Sequence, residues 1–151
     1  MKKVPTIFDT DPGIDDAFAL SFLNKSEIFD VKMLSSVAGN VKLKHTTRNL
    51  RGLAFAMDWQ VPIFKGLDRP IFGKQILAES FHGENGLLGY EFKDDELAKL
   101  ENQPAIKAMA EVLEKNDKTL IIAVGPLTNI ASLILARPDL KEKIKEITIM
   151  G

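Results

Sequence analysis

The stretch that most constrains this chain is residues 9–17, which read DTDPGIDDA. This stretch places four carboxylates within eight residues. A short β-prone run at 4–8 precedes it and an apolar-periodic segment at 17–23 follows it, so the acids lie between a predicted strand and a predicted helix. Ligands of open α/β sheets bind at the carboxyl ends of strands. The sequence therefore predicts a functional site at this turn.

The four acids repel one another unless something offsets their charge. A helix N-terminus can stabilise Asp15 or Asp16, protonation can remove one charge, and a bound cation can neutralise several. Donors that are all oxygen favour a hard ion, Ca²⁺ or Mg²⁺. Pro12 and Gly13 keep the turn tight. A simpler explanation also stays open, in which the acids cap the helix and are otherwise solvated.

The rest of the chain alternates predicted strands and helices. After the first strand, strands are predicted at 29–37, 61–64, 120–124 and 147–150, and helices at 17–24, 41–57, 104–113 and 127–135. Residues 66–89 contain five glycines and little periodicity, which is typical of a functional or mobile loop. This order predicts an α/β fold with an open, mostly parallel, Rossmann-like sheet that carries helices on both faces. We expect one domain spanning residues 1–151.

Further polar candidates follow other predicted strands. Asn40 follows the second, Thr128 the fourth and Gly151 the fifth. Because the carboxyl ends of parallel strands share one edge, we expect these positions to lie near the acidic turn. Three candidates also have a simpler explanation: Asn40 as a turn residue or N-cap, Thr128 as an ordinary helix start, and His82 as a surface residue of the loop at 66–89.

Composition limits the classes of partner. Twenty Lys and Arg against 21 Asp and Glu give a net charge of −1, which suggests neither nucleic acid nor an anionic membrane. The absence of cysteine excludes disulfides and thiolate metal sites. No apolar run approaches the roughly 18 residues of a membrane span, and the first apolar run is too short for a signal peptide. We expect a cytoplasmic protein that binds neither nucleic acid nor a membrane.

The pattern D-x-D-P-G-x-D-D-A after an N-terminal strand resembles the signature of the nucleoside hydrolase family, the inosine-uridine preferring N-ribohydrolases. Three later segments resemble the family in the same order: VAGN at 37–40, HGENGLLG at 82–89 and GPLTN at 125–129. The resemblance implies a nucleoside hydrolase fold. It also implies calcium-dependent hydrolysis of the N-glycosidic bond of ribonucleosides to free base and ribose, by a homo-oligomer that is a dimer or a tetramer.

The resemblance also assigns a metal site. It implies a Ca²⁺ ion held by Asp11, by a bidentate Asp16 and by the backbone carbonyl of Thr128, with ribose hydroxyls and one water on the same ion. Asp11 would be the general base toward that water. Asp9 would support the metal ligands from behind.

Three further residues would contact the ribonucleoside substrate. The resemblance implies that Asp15 accepts a hydrogen bond from the ribose 2′-hydroxyl and that Asn40 bonds near the sugar and the water. His82 would contact the base or the ribose. Carboxylates around the sugar suit this reaction, because breaking the N-glycosidic bond builds positive oxocarbenium character on the ribose.

The chain departs from the family in length, since it matches only the N-terminal half of a family member. The absent half would supply a further Asp ligand, a His near the leaving base and an Asn/Glu cluster on the ribose. We therefore expect a truncated chain with weak calcium affinity that associates through an uncovered sheet edge and apolar helix faces. The sequence leaves open whether the isolated chain is active.

Two other functions stay open. A haloacid-dehalogenase-like phosphatase also places D-x-D after a first strand, and there Asp9 would be the nucleophile and Mg²⁺ the metal. The chain could instead be a non-catalytic calcium- or ribose-binding module that kept the acidic turn. Ribose release would separate the hydrolase from both, and phosphate release would indicate the phosphatase.

Overall fold

Five parallel strands form the centre of the computed structural model, which describes residues 3–150. The strands are β1 Val4–Thr10, β2 Phe29–Ser36, β3 Ile63–Lys65, β4 Thr119–Ala123 and β5 Ile144–Ile149. They lie in the order β3-β2-β1-β4-β5, and every neighbouring pair is parallel. The predicted parallel α/β sheet is therefore confirmed.

Helices cover both faces of this sheet. They are α1 Ile14–Lys25, α2 Leu43–Ala56, α3 Glu79–His82, α4 Ala105–Lys115 and α5 Thr128–Ala136, with short 3₁₀ turns at Asp94–Glu96 and Pro138–Lys143. Helices α1 and α2 pack on one face, and α4 and α5 pack on the other. The acidic turn lies between β1 and α1, at the carboxyl edge of the sheet.

The central strand β1 shows why two buried layers form. Successive side chains of a strand point to opposite faces, so Ile7 joins the layer under α4 and α5 while Phe8 joins the layer under α1 and α2. Both side chains are buried. This burial on both faces suits the continuous apolar runs that the sequence places in its parallel strands.

Several element boundaries differ from the sequence prediction. Strand β1 continues through Asp9 and Thr10, because Asp9 pairs with both β2 and β4. Helix α1 begins at Ile14, three residues before the predicted start, so Asp15 and Asp16 lie in its first turn. Strand β5 begins at Ile144 rather than at residue 147. The predicted position of Gly151 lies outside the described residues.

Membrane-spanning helices were also sought among the described residues. Within 3–150, every helix falls short of the length and apolar content needed to cross a membrane.

Candidate functional site

The carboxylate of Asp11 is the centre of the acidic turn and is buried. Its Oδ2 accepts a hydrogen bond from the backbone N–H of Asn40 at 2.7 Å, and its backbone carbonyl accepts one from Asn40 Nδ2 at 3.0 Å. Two glycines leave room for this side chain. A Cβ on Gly39 would lie 2.0 Å from Asp11 Oδ2, and a Cβ on Gly125 would lie 2.7 Å from Asp11 Oδ1.

Asp16 is buried beside it, in the first turn of α1. Its Oδ1 accepts from Thr10 Oγ1 at 2.6 Å. Its Oδ2 accepts from the backbone N–H of Gly13 at 3.0 Å and from Asn40 Nδ2 at 3.2 Å. The bond from Gly13 satisfies a backbone donor at the helix N-terminus, where negative charge is favoured. Asn40 thus contacts both Asp11 and Asp16.

Asp9 lies behind this pair and is fully buried. Its Oδ1 accepts hydrogen bonds from Ser35 Oγ and from Asn129 Nδ2, the latter at 2.8 Å. Its Oδ2 is buried and has no hydrogen-bond partner among the described residues. This burial prevents Asp9 from attacking a substrate, which argues against the phosphatase chemistry in which Asp9 would be the nucleophile.

Burial raises the pKa of all three carboxyl groups. Removal from water raises the pKa of Asp9 to about 7, although the hydrogen bonds from Ser35 and Asn129 lower it in part. Burial, followed by repulsion from Asp16, raises the pKa of Asp11 to about 7. Burial also raises the pKa of Asp16, against the hydrogen bonds from Thr10 and Gly13. The hydrogen bonds of the site therefore offset only part of the effect of burial on the pKa values of these three carboxyl groups.

The loop after β3 folds back onto the acidic turn. The Ala78 N–H donates to the Asn40 carbonyl at 2.8 Å. The Ile14 N–H points at His82 Nδ1 at a long 3.4 Å, and a Cβ on Gly13 would lie 2.6 Å from that same nitrogen. His82 therefore sits over the N-terminus of α1, beside the predicted acids, rather than on a remote surface.

Asp15 and Thr128 lie outside the hydrogen-bonded group that Asp11, Asp16 and Asn40 form. Asp15 is exposed in the first turn of α1 and points toward the same edge as Asp11. Thr128 is buried as the first residue of α5, and no hydrogen bond joins its side chain to an acid within residues 3–150. A Cβ on Gly125, in the turn that leads into Thr128, would lie 2.7 Å from Asp11 Oδ1, so the backbone of this turn closely approaches the carboxylate.

An open cleft of about 380 Å³ lies above the acids. Its lining is mainly apolar and includes three polar residues: Asp11, Asp15, Asn40, Val124, Gly125, Pro126, Leu127, Ile149 and Met150. A small polar ligand with an apolar part would match such a lining. Asp11, Asp15 and Asn40, which the sequence singled out, share this cleft.

The donor chemistry of the turn fits a hard divalent cation. Asp11 and Asp16 offer only oxygen, and repulsion between them is a cost that a cation would relieve. The backbones of Gly39 and Gly125 pack closely against the Asp11 carboxylate and hold it in place. Across residues 3–150, however, no three acidic or histidine side chains converge to hold a metal ion by themselves.

Sequence reasoning missed the buried residues that hold the acids. Ser35 and Asn129 bind Asp9, Thr10 binds Asp16, and Asn49 joins the acidic turn to the loop. Asn129 belongs to the GPLTN segment at 125–129, which resembles the family motif, but the sequence predicted no role for Asn129 itself. Ser35 lies inside a strand pattern and carried no separate signal.

Residues 6–151 match the family model described as inosine-uridine preferring nucleoside hydrolase. The chain is 37% identical over 150 residues to the non-specific ribonucleoside hydrolase RihC of Escherichia fergusonii, covering 99% of this chain and 49% of that relative. It thus spans about half the length of the curated relatives it matches.

Solved structures of similar proteins agree with the fold. A plant nucleoside hydrolase, PpNRh1, superposes with a TM-score of 0.87 at 31% identity, covering 99% of this chain and 48% of that one. A purine-preferring ribonucleoside hydrolase from Gardnerella vaginalis superposes with a TM-score of 0.86 at 26% identity, covering 97% and 48%.

Proposed function

Because the chain belongs to the inosine-uridine preferring nucleoside hydrolase family, we propose that it carries the acidic half of a site that hydrolyses ribonucleosides to free base and ribose. The observation that carries the proposal is the meeting of Asp11, Asp16 and Asn40 at the carboxyl edge of the sheet. The names of the relatives support a ribonucleoside as substrate.

In this proposal Asp11 is the general base. Its Oδ2 is held by the Asn40 N–H, while its Oδ1 accepts no hydrogen bond from another residue within 3–150 and is available to take a proton from water. Asp15, exposed in the same cleft, accepts a hydrogen bond from a ribose hydroxyl. The buried negative charge of Asp11 and Asp16 stabilises the positive charge that develops on the ribose.

We propose Ca²⁺ as the cofactor, held by Asp11, Asp16 and the Thr128 carbonyl. When bound, Ca²⁺ would supply a hard positive charge that acidifies a water and orients hydroxyl oxygens. Asn40 keeps the two carboxylates together by donating to both, and Asp9 supports Asp11 from behind. His82, which lies over the N-terminus of α1, contacts the base or the ribose in this proposal.

The experiment is an assay for free ribose from inosine, adenosine, uridine and cytidine, with Ca²⁺ and with EDTA. We expect release that EDTA abolishes and that Asp11→Asn lowers by a factor of about 100 or more. Asp95→Asn, on an exposed 3₁₀ turn, is the matched control and should leave release unchanged. Binding of nucleoside without release would favour the non-catalytic binding module.

We also propose that the chain self-associates. Phe18 and Phe22 lie one helical turn apart on α1 and are 74% and 71% exposed, and Ile149 on the edge strand β5 is 53% exposed. Exposed apolar side chains and an exposed edge strand each favour association with another chain. Sedimentation equilibrium should show a dimer or tetramer, and a single monomeric species would contradict this.

The cytoplasmic location stays a prediction, which cell fractionation would test.

A further inference from the structure

Asn129 is a fully buried amide that the proposed chemistry does not use. Its Nδ2 donates to Asp9 Oδ1 at 2.8 Å and to the Ser36 carbonyl at 3.1 Å. Its Oδ1 accepts from the Leu67 N–H at 2.9 Å. One side chain therefore joins the carboxyl ends of β1 and β2, the start of the loop after β3, and the first turn of α5.

The surroundings of Asn129 leave little freedom for this arrangement. A Cβ on Gly66 would lie 2.2 Å from Asn129 Nδ2 and 2.3 Å from the Ser36 carbonyl, so the loop backbone passes directly against the amide. The Gly66 N–H donates to that same carbonyl at 3.0 Å. An apolar side chain of similar size would fill the space but would leave these buried polar groups without partners.

The segments that Asn129 joins are those that carry the site. Asp9 lies two residues before Asp11, Ser36 lies four residues before Asn40, and Leu67 begins the segment that carries His82. Asn129 itself follows Thr128 in the first turn of α5, which comes directly after the turn whose Gly125 approaches Asp11. A shift of Asn129 would therefore change the spacing between Asp11 and the turn that begins α5.

We propose that Asn129 is a positioning residue that fixes the first turn of α5 against the Asp9–Asp11 end of β1 and thereby sets the geometry of the acidic site. The inference rests on the proposed function, because it assigns Asn129 a role in that same site. It acts through Asp9 and the backbone and touches no substrate.

The test compares Asn129→Ala with Asn116→Ala in the whole chain. Asn116 also donates to a backbone carbonyl, that of Val112 at 2.8 Å, but it lies between α4 and β4 at the opposite edge of the sheet. We expect Asn129→Ala alone to shift the carbon-13 carboxyl resonance of Asp11 and to speed amide exchange at Leu67 about tenfold or more. An unchanged Asp11 resonance in a folded Asn129→Ala chain would overturn the inference, whether or not Leu67 exchange changes.

Activity and metal binding supply separate readouts. We expect Asn129→Ala to lower the Ca²⁺ affinity by about 10- to 100-fold, or to lower kcat for ribose release by about 10- to 100-fold with KM little changed. Asn116→Ala should change neither quantity. If the unmodified chain neither binds Ca²⁺ nor releases ribose, the proposed function fails. The Asp11 resonance still decides the role of Asn129 in that case.

A second pair of variants covers the case in which Asn129→Ala does not fold. Asn129→Asp keeps the acceptor for Leu67 but places a second carboxylate against Asp9, and adding Asp9→Asn restores one amide facing one carboxylate. We expect the double variant to regain unfolding stability beyond the sum of the two single changes. Additive single effects would show that the Asn129–Asp9 contact sets nothing and would overturn the inference.

Discussion

The backbone N–H of Asn40 lies 2.7 Å from Oδ2 of Asp11, and no other hydrogen bond from a different residue within 3–150 holds that carboxylate. Asn40 comes from the turn after β2, whereas Asp11 comes from the turn after β1. The orientation of the proposed base therefore depends on the conformation of a neighbouring turn, which the Asn40 side chain also secures by donating to the Asp11 carbonyl at 3.0 Å.

Asn40→Ala should accordingly lower ribose release by about 10- to 100-fold, because the Asp16 contact and the bond to the Asp11 carbonyl are lost together. The free energy of unfolding should fall by only about 1 kcal/mol. Asn24→Ala is the matched control, since Asn24 donates to the Met57 carbonyl at 3.3 Å, far from the site. Equal loss of release in both variants would refute a specific role for Asn40.

Gly39→Ala should displace Asp11 without any backbone strain at the substituted position. The new Cβ would lie 2.0 Å from Asp11 Oδ2 and 2.6 Å from Pro126 Cδ, so the carboxylate or the proline must move. We expect loss of ribose release and a drop of about 1–3 kcal/mol in the free energy of unfolding.

Gly73→Ala serves as its control. A Cβ there meets nothing within 4 Å, but its φ of +78° makes alanine strained by about 1 kcal/mol. We expect a similar modest loss of stability with normal release. Normal release by Gly39→Ala would contradict the tight packing of Asp11.

Much of the fold could be predicted from the sequence, because its strands are buried on both faces. The run at 120–124 is apolar at every position, and the structure places β4 there between two helical layers. Strand β5 was harder to delimit, because Lys145 and Glu146 interrupt its apolar pattern at an exposed edge. Its start at Ile144 depends on pairing with β4, which no local pattern reveals.

The acids of the site were visible in the sequence, but the residues that hold them were not. Four carboxylates around a Pro-Gly turn stand out from any ordinary pattern. Asn129 lies 120 residues from Asp9 along the chain, and Ser35 lies 26 residues from it. Such contacts depend on which strands are neighbours, so they become predictable only when the strand order is known.

Stability without metal should decrease as the pH rises toward neutral. Burial raises the pKa of Asp9 to about 7 from the 3.8 of an ordinary aspartate, so the folded chain binds more protons than the unfolded chain between these values. The contribution to stability is fully present below about pH 4 and is lost as the pH passes about 7.

Asp9→Asn removes this titration and should flatten the decline by up to about 1.4 kcal/mol per pH unit. A residual slope should remain, because burial raises the pKa of Asp11 and Asp16 as well. Urea unfolding in EDTA from about pH 4 to about pH 7.5 measures both slopes. Identical slopes in the two proteins would show that Asp9 does not titrate in this range.

Calcium should bind weakly and stabilise the chain only at high concentration. Two buried carboxylates face the site, and no third acidic or histidine side chain joins them within residues 3–150. A low count of charged ligands points to a Kd of roughly 10⁻⁴ to 10⁻³ M. Calorimetry should show this binding, and Asp16→Asn should abolish it. A micromolar or tighter Kd would mean that ligands other than these acids hold the ion.

The last prediction concerns Asn49, a buried amide on α2 that joins the acidic turn to the loop. Its Nδ2 donates to the Pro12 carbonyl at 3.1 Å and to the Asn85 carbonyl at 2.8 Å. Asn49→Ala leaves both carbonyls unsatisfied and should cost about 1–3 kcal/mol of unfolding free energy. It should also speed proteolysis within residues 66–89.

Asn49→Asp should be worse than Asn49→Ala at pH 7, because it buries a negative charge against two carbonyl oxygens that offer no proton. Lowering the pH should protonate the new carboxyl group and recover part of the loss, a response that the alanine variant lacks. Asn24→Asp, at a half-buried position with one carbonyl partner, should lose much less stability. Urea unfolding of the three variants at two pH values measures this difference. If the Asn49→Asp chain is as stable as the unmodified chain at pH 7, the amide does not donate to both carbonyls.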